Sequence, residues 1–184
     1  MTVAATPRLV TDRLVLRRWD VDADLDPYAA LCADPQVMRY IGDGTTRSRE
    51  QSADQLRAFE QGWTTGAFGL FAAELTRSGE MIGFVGLAVP DFLPEIMPAV
   101  EIGWRLARSH WGKGYATEGA RAVLAFGFDA LDLERIVSVH AVGNDASGNV
   151  MQKIGMHLDR ETIHPRTGRA VRVYAIDRPT AVNR

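Results

Sequence analysis

The stretch SHWGKGYATEGARAVLAF, residues 109–126, sets Gly112 and Gly114 on either side of Lys113 and then runs directly into a helical pattern. It follows AVEIGWRL (99–106), which reads as a strand. Glycine is a poor helix former, so two of them at the mouth of a helix need a reason. A tight turn is one reason; a seat for an anion is the other. A strand, a glycine-rich turn and a helix aim unpaired backbone N–H groups and the positive end of a helix dipole at one point. Gly112, Gly114 and Ala116 keep that approach clear of bulky side chains, and Lys113 adds a cation. A Walker A loop would need Ser or Thr after its lysine, where Gly114 stands. The dinucleotide fingerprint fits Gly112 and Gly114 but meets Thr117 at its last position, and 67 of the 184 residues lie beyond Thr117, too few for a two-half nucleotide domain.

The rest of the chain mixes strand and helix patterns. RLVTDRLVLRRW (8–19) reads as one opening strand, and residues 22–33 and 48–63 have helical spacing, the second through Ala53, Leu56, Phe59 and Trp63. AFGLFAAEL (67–75) and MIGFVGLAV (81–89) flank Ser78-Gly79 as a hairpin, and the prolines of DFLPEIMP (91–98) mark a loop. The helix after the glycines runs from Lys113 to about Leu131, with Ala116, Ala120, Val123, Leu124 and Gly127 on one face. A strand at 134–142, a short helix at 146–155 ended by Gly155, and a closing antiparallel pair at 156–163 and 170–176 complete the pattern.

No repeat or linker interrupts it, and 184 residues with 46% hydrophobic and 24% charged content suit one packed domain over 1–184. A net charge of −2 gives no electrostatic reason to bind nucleic acid or an anionic membrane. Cys32 is the only cysteine, so neither an intrachain disulfide nor a cysteine-rich metal site is expected. The opening MTVAATPRLV lacks signal-peptide features and no run approaches ~18 apolar residues, so the expectation is a cytoplasmic protein.

Read as Trp111-Gly112-Lys113-Gly114-Tyr115-Ala116, the glycine turn resembles the pyrophosphate loop (Q/R)-x-x-G-x-(G/A) of the GNAT superfamily of N-acetyltransferases, with Trp111 where Gln or Arg is usual. GNDASGNVMQKIGM (143–156) resembles that family's N-x-x-S-x-x-x-x-(E/Q)-K-x-G-(F/M) segment at Asn144, Ser147, Gln152, Lys153, Gly155 and Met156. Together with TDRLVLRRW and EIGWRLARSHWGKGYATEG the resemblance covers nearly the whole chain and points to the RimJ/RimL-like branch. It implies a single-domain α+β fold: a mixed, mostly antiparallel sheet of about seven strands flanked by helices, its parallel central strands splayed. It also implies acetyl transfer from acetyl-CoA, with CoA as product, directly to a primary amine in a ternary complex. No acyl-enzyme forms in such a reaction, so Cys32 is not needed as nucleophile and reads as a small packed residue.

The resemblance assigns the pantetheine arm to main-chain groups of Trp104, Arg105 and Leu106, and the phosphates to the turn from Trp111 to Ala116, with Lys113, Arg108 and Lys153 as cations. Asn144 would meet the cofactor's amide arm, or cap its helix. Many relatives protonate the departing thiolate with a tyrosine where this chain has Met151; in the RimL-like branch a serine has that role, which falls on Ser147, unless its hydroxyl only caps the helix. Glu101, a charge inside an apolar strand, is the base candidate, directly or through water, beside the reading of a structural buried carboxylate; His140 could substitute, though a packed histidine is the plainer reading. The acceptor falls to residues 28–46, the 91–98 loop and the turn in the 160s, with Trp63, Phe68, Phe92 and Tyr174 as candidate lining or as core. It is a protein N-terminus or a small amine such as an amino acid, polyamine or aminoglycoside. The alternative is a CoA-binding regulatory module without turnover, motivated by Trp111 and the missing tyrosine. No metal is expected, and a homodimer is compatible.

Overall fold

The computed structural model describes residues 7–179; the first six residues of the opening segment read above as lacking a leader lie outside them. The elements are β1 (Leu9–Val10), β2 (Leu14–Arg17), α1 (Val21–Ala33), α2 (Pro35–Met38), α3 (Arg49–Thr65), β3 (Leu70–Leu75), β4 (Met81–Ala88), β5 (Glu101–Leu106), α4 (Tyr115–Ala125), β6 (Arg135–Ala141), α5 (Asp145–Lys153), β7 (His157–Ile163) and β8 (Ala170–Asp177). All strands join one eight-stranded sheet in the order β1-β2-β3-β4-β5-β6-β8-β7, the α+β arrangement expected. The count exceeds the expected seven because the opening segment folds back on itself. Thr11 Oγ1 accepts the Leu14 N–H at 3.0 Å, which lays Leu9 against Leu16 and Val10 against Val15.

Alternation along the central strands sorts apolar side chains onto two faces. Leu14, Leu16, Phe71, Val85, Ile102 and Leu106 pack with Ala120, Val123 and Leu124 of α4 and Met151 of α5. Trp19, Tyr28, Leu31, Leu56, Ala72 and Phe84 form a second cluster on the other face, under α1 and α3. Burying each large side chain contributes about 1.5–3 kcal/mol, so both layers are anchored by the same periodicity that the sequence displays. α3 starts with a capping box in which Ser48 and Gln51 satisfy each other's backbone N–H groups. α4 ends sooner than its apolar stripe suggests: after Ala125 the backbone widens into a turn closed by a 3.3 Å bond from Leu131 N–H to Phe126 O, a five-residue step.

The sheet opens at its one parallel edge. β5 is paired antiparallel along its whole length with β4, and β6 with β8, but β5 and β6 share only the register pair Glu101–Val137. Next to it, the Val137 N–H donates to Val100 O at 2.9 Å and the Ser138 hydroxyl donates to Ile102 O at 2.8 Å. Beyond Ile102 the two strands part. Ala107 N–H bonds Ile82 O on β4, so alternation turns the peptide groups of Gly103 and Arg105 toward β4 and those of Trp104 and Leu106 toward the opened edge.

Candidate active site

The glycine turn forms an uncapped helix start. Gly114 is the N-cap of α4 with φ +85°, Gly112 has φ +71°, and no side chain caps the helix. Both angles favour glycine. The first intrahelical bond runs from Glu118 N–H to Gly114 O at 3.0 Å, so the N–H groups of Tyr115, Ala116 and Thr117 have no partner within the helix. Lys113 is exposed beside them. Trp111, the departure from the family pattern, is 47% exposed and donates its indole N–H to Leu106 O at 2.8 Å, which ties the turn to the end of β5. That bond occupies the Leu106 carbonyl. With the peptide groups of Arg105 facing β4, the open-edge main chain left for the expected pantetheine arm is that of Trp104 and the Leu106 N–H.

Arg13 is the residue at this turn that sequence reasoning missed. Its guanidinium donates to Lys113 O at 2.9 Å, lies 4.6 Å over the Tyr115 ring, and pairs with Glu118 at 2.6 Å. Glu118 also accepts from the Thr11 hydroxyl at 2.6 Å, and these partners hold its carboxyl below the usual range against the opposing effect of burial. A contact a hundred residues away in sequence leaves no local pattern to read. Lys153 is exposed at the end of α5, its carbonyl bonded by Arg121 at 3.0 Å, and Arg108 pairs with Asp34 at 3.2 Å.

A cavity of about 920 Å³ opens where β5 and β6 part. It brings together Glu101, Trp104, Arg105, Asn144 and Ser147, with His140 and Met151; the turn at 111–116 and Lys153 are not in its wall. All three segments expected to face an acceptor contribute to it, through residues such as Tyr40, Phe92 and Arg169. Phe92 stacks on His164 with ring centroids 5.3 Å apart. Trp63 and Tyr174 belong to the core, and Phe68 packs against it.

Among the described residues Glu101 has no cationic partner. Its Oε1 accepts the Val139 N–H at 3.2 Å, and burial pushes its pKa up to about 8, the single hydrogen bond opposing the shift. A carboxyl so placed exchanges protons near neutral pH. His140 stands on the opposite face of the parted strands. Its Nδ1 lies 2.9 Å from Ala141 O, and a carbonyl can only accept, so Nδ1 carries the proton of the neutral ring. Nε2 is then a bare lone pair, buried and without a partner among the described residues, facing Gly148. Burial is the main cause that keeps this imidazole below its ordinary pKa.

On α5 the capping role belongs to Asn144, whose Oδ1 accepts the Ser147 N–H at 3.4 Å. The Ser147 hydroxyl is thereby left out of the cap. Met151, where many relatives carry a tyrosine, is 1% exposed and fills the core with no proton to give. Cys32 is buried and free, 3.7 Å from Arg105 Nη1.

The fold and this opened edge define an acyltransferase. A model of the acetyltransferase (GNAT) domain matches residues 13–157, and the chain belongs to that family. It is 36% identical over 157 residues to the uncharacterized protein YkkB of Bacillus subtilis, across 85% of this chain and 88% of that protein. To the uncharacterized N-acetyltransferase YoaA of the same organism it is 31% identical, across 83% and 84%. In fold it matches a solved RimL, described as a ribosomal L7/L12 alpha-N-protein acetyltransferase in complex with coenzyme A, at a TM-score of 0.76 and 18% identity, over 93% of this chain and 98% of that one.

Proposed function

We propose that this GNAT acetyltransferase moves an acetyl group from acetyl-CoA directly onto a primary amine, of a protein N-terminus or a small molecule, in a ternary complex formed by one domain over residues 1–184 in the RimJ/RimL-like branch. The observation that carries this reading is the parting of β5 and β6 just beyond the Glu101–Val137 pair. It leaves the Trp104 peptide groups on an open edge between the uncapped α4 and the cavity that holds Glu101. The chain's donors fit the cofactor. Three N–H groups with no partner in the helix, two positive-φ glycines and Lys113 suit a pyrophosphate. The Trp104 edge and the Asn144 amide suit the amide groups of a pantetheine arm, and the solved RimL with coenzyme A supports the same choice.

When bound, acetyl-CoA supplies the acetyl group as a thioester, an activated acyl with a thiolate leaving group. Glu101, its pKa near 8, takes the proton that the amine must lose as its nitrogen bonds the acetyl carbon. Ser147, free of the helix cap, gives the proton that the departing sulfur needs as the carbon–sulfur bond breaks. The buried Cys32 takes no part.

The test measures CoA release from acetyl-CoA across a panel of amines and peptides, beside calorimetric CoA binding. Acceptor-dependent release is the expected result. Binding without release under any acceptor would favour a regulatory module, and no CoA binding at all would overturn both readings. Among the described residues no helix is long and apolar enough to cross a membrane.

A further inference from the structure

Two guanidiniums in the cavity wall have no task in the chemistry above. The side chain of Arg105 leaves β5 on the Glu101 face, where its Cζ lies 5.2 Å from the centroid of Phe84. Its Nη1 donates to the Tyr28 hydroxyl oxygen at 3.4 Å and to Cys32 Sγ at 3.7 Å, and among the described residues its buried Nε has no partner. Arg47 donates its backbone N–H to Cys32 O at 3.0 Å and likewise buries an unpartnered Nε. Both line the cavity. The two charges bear on one phenol: Tyr28 is fully buried, burial raises its pKa, and the nearby Arg105 and Arg47 oppose that shift.

A guanidinium carries five N–H donors and does not lose its proton in proteins; both side chains are half-buried, and a buried Nε–H without an acceptor is costly. Other arginines of the chain show the usual remedy. Arg17 pairs with Asp24 and Glu74, and Arg169 donates to the carbonyls of Arg39 and Asp43. Among the described residues neither Arg47 nor Arg105 is paired with a carboxylate; the Tyr28 oxygen, whose own proton goes to Gln55 Oε1 at 2.6 Å, accepts one long bond from Arg105 Nη1 at 3.4 Å and leaves the remaining donors without a charged partner. Of the carboxyls in the cavity wall, Asp43 is engaged by Thr45, Asp91 is exposed on the 91–98 loop, and Glu101 lies four residues back along β5 with Oε1 on Val139 N–H.

We infer that Arg47 and Arg105 receive a carboxylate of the acceptor, so that the substrate is a primary amine that also carries an acid group. The inference rests on the acetyl-transfer reading and narrows it. A planar carboxylate matches the fork of a guanidinium; the wall holds four arginines, Arg47, Arg105, Arg166 and Arg169, against the carboxyls of Asp43, Asp91 and Glu101, an excess of cations that suits an anion better than a polycation. The backbones of Glu101 and Arg105 stand four strand residues apart, about 13 Å along β5, which favours acid and amine at opposite ends of a chain over both on one carbon. A linear ω-amino acid and a peptide with an acidic side chain near its N-terminus share this chemistry.

The experiment compares ω-amino acids of rising chain length with their carboxamides, and short peptides carrying Glu with the same peptides carrying Gln, using the full chain and acetyl-CoA. The carboxylate form should exceed its amide at least tenfold in kcat/KM in one of the two arms, which identifies the source. In Arg47→Gln that ratio should fall to within twofold of unity, while Arg47→Lys recovers part of it. Equal turnover of acid and amide forms in both arms overturns the inference and leaves acetyl transfer standing, as does an Arg47→Gln variant that slows both forms alike. If no amine elicits CoA release, the transfer reading fails, and the melting temperature of the CoA-saturated protein decides the inference. A rise with the acids and not the amides, lost in Arg47→Gln, supports it; no difference refutes it.

Discussion

The α4 turn and the cavity beside Glu101 are built from different material. The turn works through main chain: its donors are peptide N–H groups, and its only strict requirement on side chains is that Gly112 and Gly114 have none. The cavity works through side chains that six separate segments bring together, and its chemistry depends on what surrounds each of them. A substitution in the turn should therefore act on binding, whereas one in the cavity should act on rate and on pH.

The largest effect expected is at Glu101. Glu101→Gln keeps the shape and removes the proton acceptor, which should lower kcat by about 10²–10⁴-fold. In the parent the rate should climb with pH through about 8, as the carboxyl ionises, and this limb should be missing from the variant. A parent profile that is flat between pH 6 and 9 would remove Glu101 from the role. Folding carries the same signature. The native value is raised, so between the ordinary 4.5 and about 8 the unfolded chain has released a proton that the native state retains. Stability from this group is present below pH 4.5 and is lost as pH rises toward 8. Thermal melts of Glu101→Gln should lack that slope.

The second test strikes the turn. In Gly114→Glu a side chain is forced onto a residue at φ +85°, and an anion is placed where the phosphates would sit, next to Arg13. Losing two charge-assisted backbone bonds predicts a fall in CoA affinity on the order of 10²-fold by calorimetry. Gly114→Ala, which brings the strain without the charge, should lose less. Unchanged affinity in both would refute the phosphate assignment.

The same contrast explains what could be read from the chain alone. The turn lies within one short stretch, and a residue that must adopt positive φ declares itself by being glycine, so the open helix start at 112–116, proposed as an anion seat, was legible before any fold was known. Glu101 was legible because a charge interrupts an apolar strand. Arg105 shows the limit: its strand position invited a main-chain role, but whether a peptide faces β4 or the open edge depends on register, which depends on the partner strand. Arg47 and Arg13 carry no local signal, since their surroundings come from Tyr28 and Cys32 in one case and Glu118 in the other. The extra strand was hidden for a similar reason. Thr11 reads as one more β-branched residue until its hydroxyl turns the chain back.

On α5 the two behaviours sit three residues apart, which allows a test within one helix. Asn144→Ala removes the cap and should cost about 1 kcal/mol in chemical denaturation. Ser147→Ala should stay within about 0.5 kcal/mol of the parent, as surface changes usually do, yet slow turnover. Were Ser147→Ala to match the parent in rate, the proton to the departing sulfur would have to come from elsewhere.

The smallest effect asks whether the turn is as local as it looks. Arg13 joins the β1–β2 end of the sheet to the start of α4 through Glu118, with Arg13 47% and Glu118 18% exposed at the side chain. A half-exposed pair of this kind should couple by about 0.2–1 kcal/mol in a double-mutant cycle of Arg13→Ala and Glu118→Ala, and less at high salt. If the turn is set by its glycines alone, the cycle should register in folding stability and leave CoA affinity nearly unmoved. Equal coupling in both measurements would mean that the sheet edge helps to hold the phosphate seat, and that the main-chain site too depends on a distant side chain.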